Sequence, residues 1–284
     1  MTAAFALLVA ACAPGVLSPA GPVASGERTI LFNALAIMML IVVPTITVTL
    51  AFAWWFRAGN KRATYRPTWS YSGRIELLVW SVPALIVIFL AGLTWIGTHQ
   101  LAPERPLVSK VRPMTVQVVA LDWKWLFIYP EQGIATVNRL VIPAGTPIAF
   151  RITSGTVMNS FFVPQLGSQI YAMSGMDAKL HLQADRPGRF NGLSAHYSGE
   201  GFADMDFVVE AVPPAQFAGW IARTKAAGPS LDDAHLAALS KSTVNVAPHA
   251  YRAVMSGLYD RIVANAGVSA HEESRSGRED NHVR

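Results

Sequence analysis

Side chains that could hold a metal or move a proton are few in this 284-residue chain. There is one cysteine, Cys12. A single thiol excludes an internal disulfide and any site built from several thiolates. Glu76 stands where a basic stretch gives way to an uncharged run, within Gly73-Arg74-Ile75-Glu76-Leu77-Leu78-Val79-Trp80. A carboxylate at such an edge can collect protons, or it can pair with Arg74 as an interfacial anchor. A third group lies in Ser194-Ala195-His196-Tyr197-Ser198-Gly199-Glu200-Gly201-Phe202-Ala203-Asp204-Met205. It offers one imidazole and one thioether among hydroxyls and glycines. A lone thioether cannot hold a metal, and His196 reads as an ordinary surface or core histidine rather than a mononuclear site.

These groups must be positioned by two kinds of element. From Thr29 to Phe56 no residue is charged, and the run ends in Trp54-Trp55-Phe56-Arg57, an aromatic belt followed by a positive charge. A second uncharged run extends from Leu77 to Pro103, with Trp80 and Trp95 near its ends. Each exceeds the roughly 20 apolar residues that cross a bilayer core as a helix. Pro44 and Pro83 fall inside, where neighbouring groups can satisfy the freed carbonyls. Hydrophobic residues make up 52% of the chain and charged ones 14%, an apolar balance for a purely soluble protein.

The net charge of +5 has a definite address. Arg57, Lys61, Arg62, Arg66 and Arg74 lie between the two runs with no acidic residue among them. Taking those five from the 23 Lys+Arg leaves 18, equal to the 18 Asp+Glu. A nucleic-acid binder needs a basic face on its folded domain, and the remaining charge balance provides none, so no nucleic-acid partner is expected. The positive-inside rule keeps this loop cytoplasmic and sends everything after about residue 103 outward.

At the amino terminus, Leu8-Val9-Ala10-Ala11-Cys12 resembles the lipobox of bacterial lipoproteins, although no Lys or Arg precedes it. That resemblance implies removal of residues 1–11, lipidation of Cys12, and a membrane-lipid anchor on the outer side. Residues 12–28, rich in Pro, Gly, Ala and Ser, then read as a lipidated tether.

After residues 29–103, the two-helix hairpin, the periodicity changes. Thr115–Val119, Ile148–Thr153, Lys179–Gln183 and Asp206–Glu210 are short β-rich runs, and Ile142-Pro143-Ala144-Gly145-Thr146-Pro147 has the composition of a turn. Residues 104–213 therefore read as an all-β sandwich or barrel. From Pro214 the pattern becomes helical: Phe217, Trp220 and Ile221 share a face, and Ser230 with Asp233 is placed to cap a helix through Leu239. This short C-terminal helical extension runs over 214–265, and 266–284 read as a disordered tail.

Three segments take the reading further. Leu121-Asp122-Trp123-Lys124-Trp125-Leu126-Phe127-Ile128-Tyr129-Pro130 resembles the aromatic segment of subunit II of haem-copper oxidases, above all quinol oxidases of the cytochrome bo type. Val157-Met158-Asn159-Ser160-Phe161-Phe162-Val163-Pro164 resembles the loop that carries the first copper-binding histidine in cytochrome c oxidases, and Ser194 to Met205 resembles their cysteine-rich copper loop. The resemblance implies a cupredoxin-like Greek-key domain behind two transmembrane helices. It also implies vacated copper positions: Asn159 and Phe202 stand where histidines would, Ser194 and Ser198 where cysteines would, and Met205 alone is retained. No metal or other cofactor is then expected in this subunit, and Trp123 and Trp125 become packing aromatics. Haem and copper are expected in a partner, subunit I, beside other membrane subunits, with quinol as the substrate of the complex. The expected role is a non-catalytic, structural and assembly subunit of a proton-pumping quinol:oxygen oxidoreductase in a bacterial inner membrane, with its globular domain on the periplasmic side. The matching glutamate in the family lies near a proton-uptake entrance, which implies that role for Glu76. A free-standing lipoprotein that uses a metal-free cupredoxin shell to bind a partner is the competing reading.

Overall fold

The computed structural model describes residues 15–64 and 66–265; residues 1–11, Cys12 and the tail from 266 lie outside the described residues. The chain forms two compact units: residues 26–101, and a second unit that joins the segment ending at Ser25 to the chain from Ala102 onward.

The first unit is a helix pair. Helix α1 spans Pro22–Trp55 and α2 spans Gly73–Gln100; both are long and apolar enough to cross a membrane. At 1.5 Å per residue they are about 50 and 42 Å long, more than the roughly 30 Å of a bilayer core. Gly26 lies against Leu101, and Ile30 packs so closely on Gly97 that a Cβ there would sit 2.5 Å from the Ile30 Cδ1. Small residues allow this kind of approach between apolar helices. Elsewhere the apolar side chains point outward: Leu40 is 70% exposed and Trp80 75%.

Helix α1 begins inside the segment expected to be a tether. Pro22 suits the first helical position, and no breaker follows before the apolar run, so Glu27 and Arg28 are helical. The residues just before it are also held. Ala20 N–H donates to the Gln165 carbonyl at 2.8 Å, Asp185 N–H donates to the Ala20 carbonyl at 2.8 Å, and Val23 joins the core of the β unit.

That core lies between two sheets. Strands β1 (Met114–Leu121), β2 (Lys124–Tyr129), β3 (Ile134–Val137), β5 (Ile148–Ser154) and β8 (Ala178–Leu182) make most of a six-stranded sheet. Strands β4 (Arg139–Pro143), β6 (Asn159–Phe162), β7 (Ile170–Ala172), β9 (Gly188–Ser194) and β10 (Asp206–Val212) make a five-stranded one. Each is mixed: β1 runs parallel to β5 and β4 parallel to β10, while the other pairs are antiparallel. Phe161 stands at the centre, with ring centroids 5.1 to 6.5 Å from Phe207, Phe150, Trp125 and Phe127.

The period-two alternation of β1 and β2 explains why this domain needs its extension. Val116, Val118, Trp125 and Phe127 point into the sandwich, whereas Val119, Leu121, Leu126 and Ile128 point out of its other side and are equally buried. The C-terminal extension covers that second apolar face with Leu231, Leu239, Tyr251, Leu258 and Tyr259. It holds α3 (Pro214–Ala226) and α4 (Asp233–Leu239), yet it is only partly helical. Strand β11 (Ser230–Leu231) pairs with β13 (Ala253–Val254), and β12 (His249–Tyr251) adds an edge strand beside β3. The cap of α4 is Asp232, whose carboxylate accepts the His235 N–H at 2.9 Å, and not Ser230 or Asp233; Ser230 is held in β11.

Candidate functional site

The end of β9 and the loop that follows it face the start of β6 at one end of the sandwich. Asn159 opens β6, fully buried, and its Nδ2 donates to the Val157 carbonyl at 3.1 Å. Ser194 closes β9; its hydroxyl lies 3.2 Å from both the Asn159 Oδ1 and the His196 carbonyl. The backbone ties the same pieces together, Ser194 N–H to the Met205 carbonyl at 3.1 Å and Ala195 N–H to the Ser160 carbonyl at 3.0 Å. Further along, the Ser198 hydroxyl lies 3.9 Å from the Met205 sulfur, and Met205 is buried. Phe202 heads a short 3-10 turn, Phe202–Asp204, and packs edge-on against Tyr197 with centroids 5.6 Å apart. His196 turns to Tyr171, 5.9 Å between rings.

The five positions singled out from sequence thus gather into two pairs, Asn159 with Ser194 and Ser198 with Met205, with Phe202 beside Tyr197. Amide, hydroxyl and thioether groups satisfy one another, as buried polar atoms must. Among the described residues no three His, Cys, Asp or Glu side chains converge.

The two tryptophans part company. Trp125 is fully buried in the sandwich. Trp123 ends the turn between β1 and β2 with φ +59°, a left-handed backbone that is a true outlier for a bulky residue. Its indole N–H donates to the Ser198 carbonyl at 3.2 Å, and its ring covers Gly199 and Gly201. A Cβ on Gly201 would collide with that ring, so the hairpin and the loop fit only because position 201 has no side chain. The strain at Trp123 is thereby held in place by contacts on both sides.

Glu76 belongs to the other unit, in the first turn of α2. Its Oε2 accepts the Trp80 indole N–H at 3.1 Å, one turn along the helix. The pairing with Arg74 is not formed: among the described residues the ion pairs involve neither.

Comparison with known proteins agrees with this architecture. The family model of the cytochrome c oxidase subunit II periplasmic domain matches residues 131–212. The cytochrome bo(3) ubiquinol oxidase subunit 2 of Pseudomonas aeruginosa is 50% identical over 258 residues, 91% of this chain and 78% of that relative. The chain belongs to the ubiquinol oxidase subunit 2 family. The Pseudomonas putida member is 48% identical over 275 residues, 95% of this chain and 88% of its own. The ubiquinol oxidase subunit 2 of Acetobacter aceti is 49% identical over 264 residues, 91% of this chain and 85% of its own. The periplasmic-domain match contains Asn159 and the whole loop from Ser194 to Met205, whereas Trp123, Trp125 and the C-terminal extension lie outside it.

One residue of structural weight was not singled out from sequence. Lys124 is 1% exposed, and its ammonium donates to the carbonyls of Asp122 at 2.9 Å, Leu239 at 3.0 Å and Lys241 at 2.8 Å. Burial pushes its pKa down, and the Asp122 carboxylate acts against that shift. The last carbonyls of α4 receive a cation where the helix dipole favours one. A lysine at the head of an otherwise apolar strand, between two tryptophans, was the available signal.

Proposed function

We propose that this chain is the non-catalytic subunit II of a proton-pumping ubiquinol:oxygen oxidoreductase, holding the outer face and helices of a haem- and copper-bearing subunit I. The reading is supported by Asn159, Ser194, Ser198 and Phe202, which stand where the resemblance puts copper ligands and which the fold gathers at one end of the sandwich. Dinuclear copper needs thiolate and imidazole donors. Hydroxyls that ionise far above neutral pH, an amide and a phenyl ring do not fit it, and Asn159 and Ser194 already satisfy each other. A soluble one-electron carrier then has no entry point on this domain. A two-electron donor dissolved in the bilayer reaches the haem-bearing subunit directly, which matches the ubiquinol in the relatives' names.

The exposed apolar flanks of α1 and α2 support lateral packing against a large membrane partner, which a free-standing lipoprotein would not need. In this reading both helices span the bacterial inner membrane, the β unit lies in the periplasm, Cys12 carries lipid, and Glu76 stands at a proton-uptake entrance of the partner. The indole bond from Trp80 holds the Glu76 carboxylate at the start of α2.

Purification of the tagged full chain in mild detergent tests the assignment: a haem-containing subunit should accompany it, and copper intrinsic to this chain should be absent. Recovery of the chain free of haem protein, or stoichiometric copper on the separated chain, would overturn it. Glu76→Ala should slow proton uptake while co-purification persists; unchanged turnover and pumping would remove that role.

A further inference from the structure

Between α1 and α2 the chain folds around a cavity of about 850 Å³, with Arg57, Arg62 and Arg66 in its lining beside Trp55, Trp69 and Ile75. The charge there is uncompensated. Among the described residues none of the five basic side chains from Arg57 to Arg74 enters an ion pair. The helix unit contains two acidic residues, Glu27 and Glu76. Glu27 lies in the first turns of α1, far along the helix from this loop, and Glu76 receives the Trp80 indole.

The helix ends add to the preference for an anion. Carbonyls at the end of α1 would repel one, but Arg57 Nη1 donates to the Trp54 carbonyl at 2.8 Å and Asn60 Nδ2 to the Trp55 carbonyl at 2.6 Å. Across the cavity the first turn of α2 contributes Ile75, and its leading N–H groups have no side-chain cap from Ser72, while the one carboxylate of that turn, Glu76, is engaged by the Trp80 indole. The indoles of Trp55 and Trp69, 45% and 58% exposed, are amphipathic rings suited to headgroup depth. Topology alone would be served by basic residues anywhere in the loop; it does not call for three guanidinium groups around one aromatic-walled cavity.

We propose that this cavity binds the phosphate headgroup of an anionic membrane phospholipid, the guanidinium groups taking its oxygens and the aromatic wall flanking its glycerol backbone. The inference rests on the reading that α1 and α2 span a membrane.

The test is native mass spectrometry of the full chain in detergent, titrated with phosphatidylglycerol or with phosphatidylcholine of identical acyl chains. Wild type should retain phosphatidylglycerol preferentially. An R62Q/R66Q variant should bind it roughly thirtyfold more weakly, two surface charges removed, while R112Q/R189Q on the β unit should bind as wild type does. Arg57 is kept because it caps α1. Equal retention of both lipids, or unchanged affinity in R62Q/R66Q, would overturn the proposal. Displacement by excess inorganic phosphate would overturn the lipid as occupant in favour of a soluble anion. Tighter binding of a poly-glutamate peptide would overturn it in favour of an acidic protein segment. Alkaline carbonate extraction separates the two levels: R62Q/R66Q should stay in the membrane, so that its lipid loss reports on the cavity. Release of the wild-type chain by carbonate would overturn the spanning reading and the proposal together.

Discussion

The β unit and the helix pair solve the same problem in opposite ways. The β unit buries both faces of its larger sheet, one against the second sheet and the other under the C-terminal extension, and it brings buried polar groups such as Asn159, Ser194 and Lys124 into hydrogen bonds. The helix pair leaves most of its apolar side chains facing outward and meets itself closely near Ile30 and Gly97. A domain that completes its own core carries its stability with it. A helix pair that does not must take its stability from lipid or from a partner.

One substitution in the packing of each unit tests this difference. Phe161→Ala in the centre of the sandwich should cost about 3–5 kcal/mol, read as a lowered denaturant midpoint of the β unit. A loss below about 1 kcal/mol would mean that the core is less complete than it looks. In the helix pair the corresponding weakness is overpacking: Gly97→Val should drive a methyl into Ile30 and cost roughly 1–3 kcal/mol in the detergent-solubilised chain, followed by loss of helicity on titration with a denaturing detergent.

Lys124→Met sharpens the β side of the contrast. It leaves the Leu239 and Lys241 carbonyls without their shared donor and should cost about 1–3 kcal/mol. Amide exchange should then accelerate in Asp233–Leu239 and His249–Tyr251 before it does in β1. Leu40→Ala should shift the stability of the isolated chain by no more than about 0.5 kcal/mol. A larger loss only when the partner is present would identify Leu40 as covered there. The smallest effect concerns pH. The His235 backbone N–H, and then its ring, hold the Asp232 carboxyl below its ordinary value of 3.8. The cap is therefore worth most above that value and is lost as pH falls through the lower folded one, a change readable as fraying of α4 alone.

The two long apolar helices were legible because they depend on a local quantity, the length of an uncharged run. The same charge count misplaced the start of α1, since Glu27 and Arg28 mark the edge of the apolar run and not the edge of the helix. Strands β1, β5, β8 and β10 followed from alternation and β-branched composition. Strand β12 did not, because His249–Tyr251 is a strand only by virtue of the β3 edge beside it. The cap of α4 was missed by one or two positions, with Ser230, Asp232 and Asp233 all chemically able to serve. At the site, the assignment of Asn159, Ser194, Ser198, Phe202 and Met205 to copper-ligand positions is an expectation from resemblance alone. The bond from Ser194 to Asn159 and the left-handed turn at Trp123 required knowing which distant segments meet.

Gly201 has a consequence for how this protein can change. A side chain there would run into the Trp123 indole of the β1–β2 hairpin and also into Val244 of the C-terminal extension. Three stretches of chain far apart in sequence therefore share one volume, and a mutation in any of them is judged by the other two. At this point of the loop a larger residue becomes acceptable only after a smaller one has replaced Trp123 or Val244. The order in which substitutions can accumulate is thus partly set by a single missing methyl group.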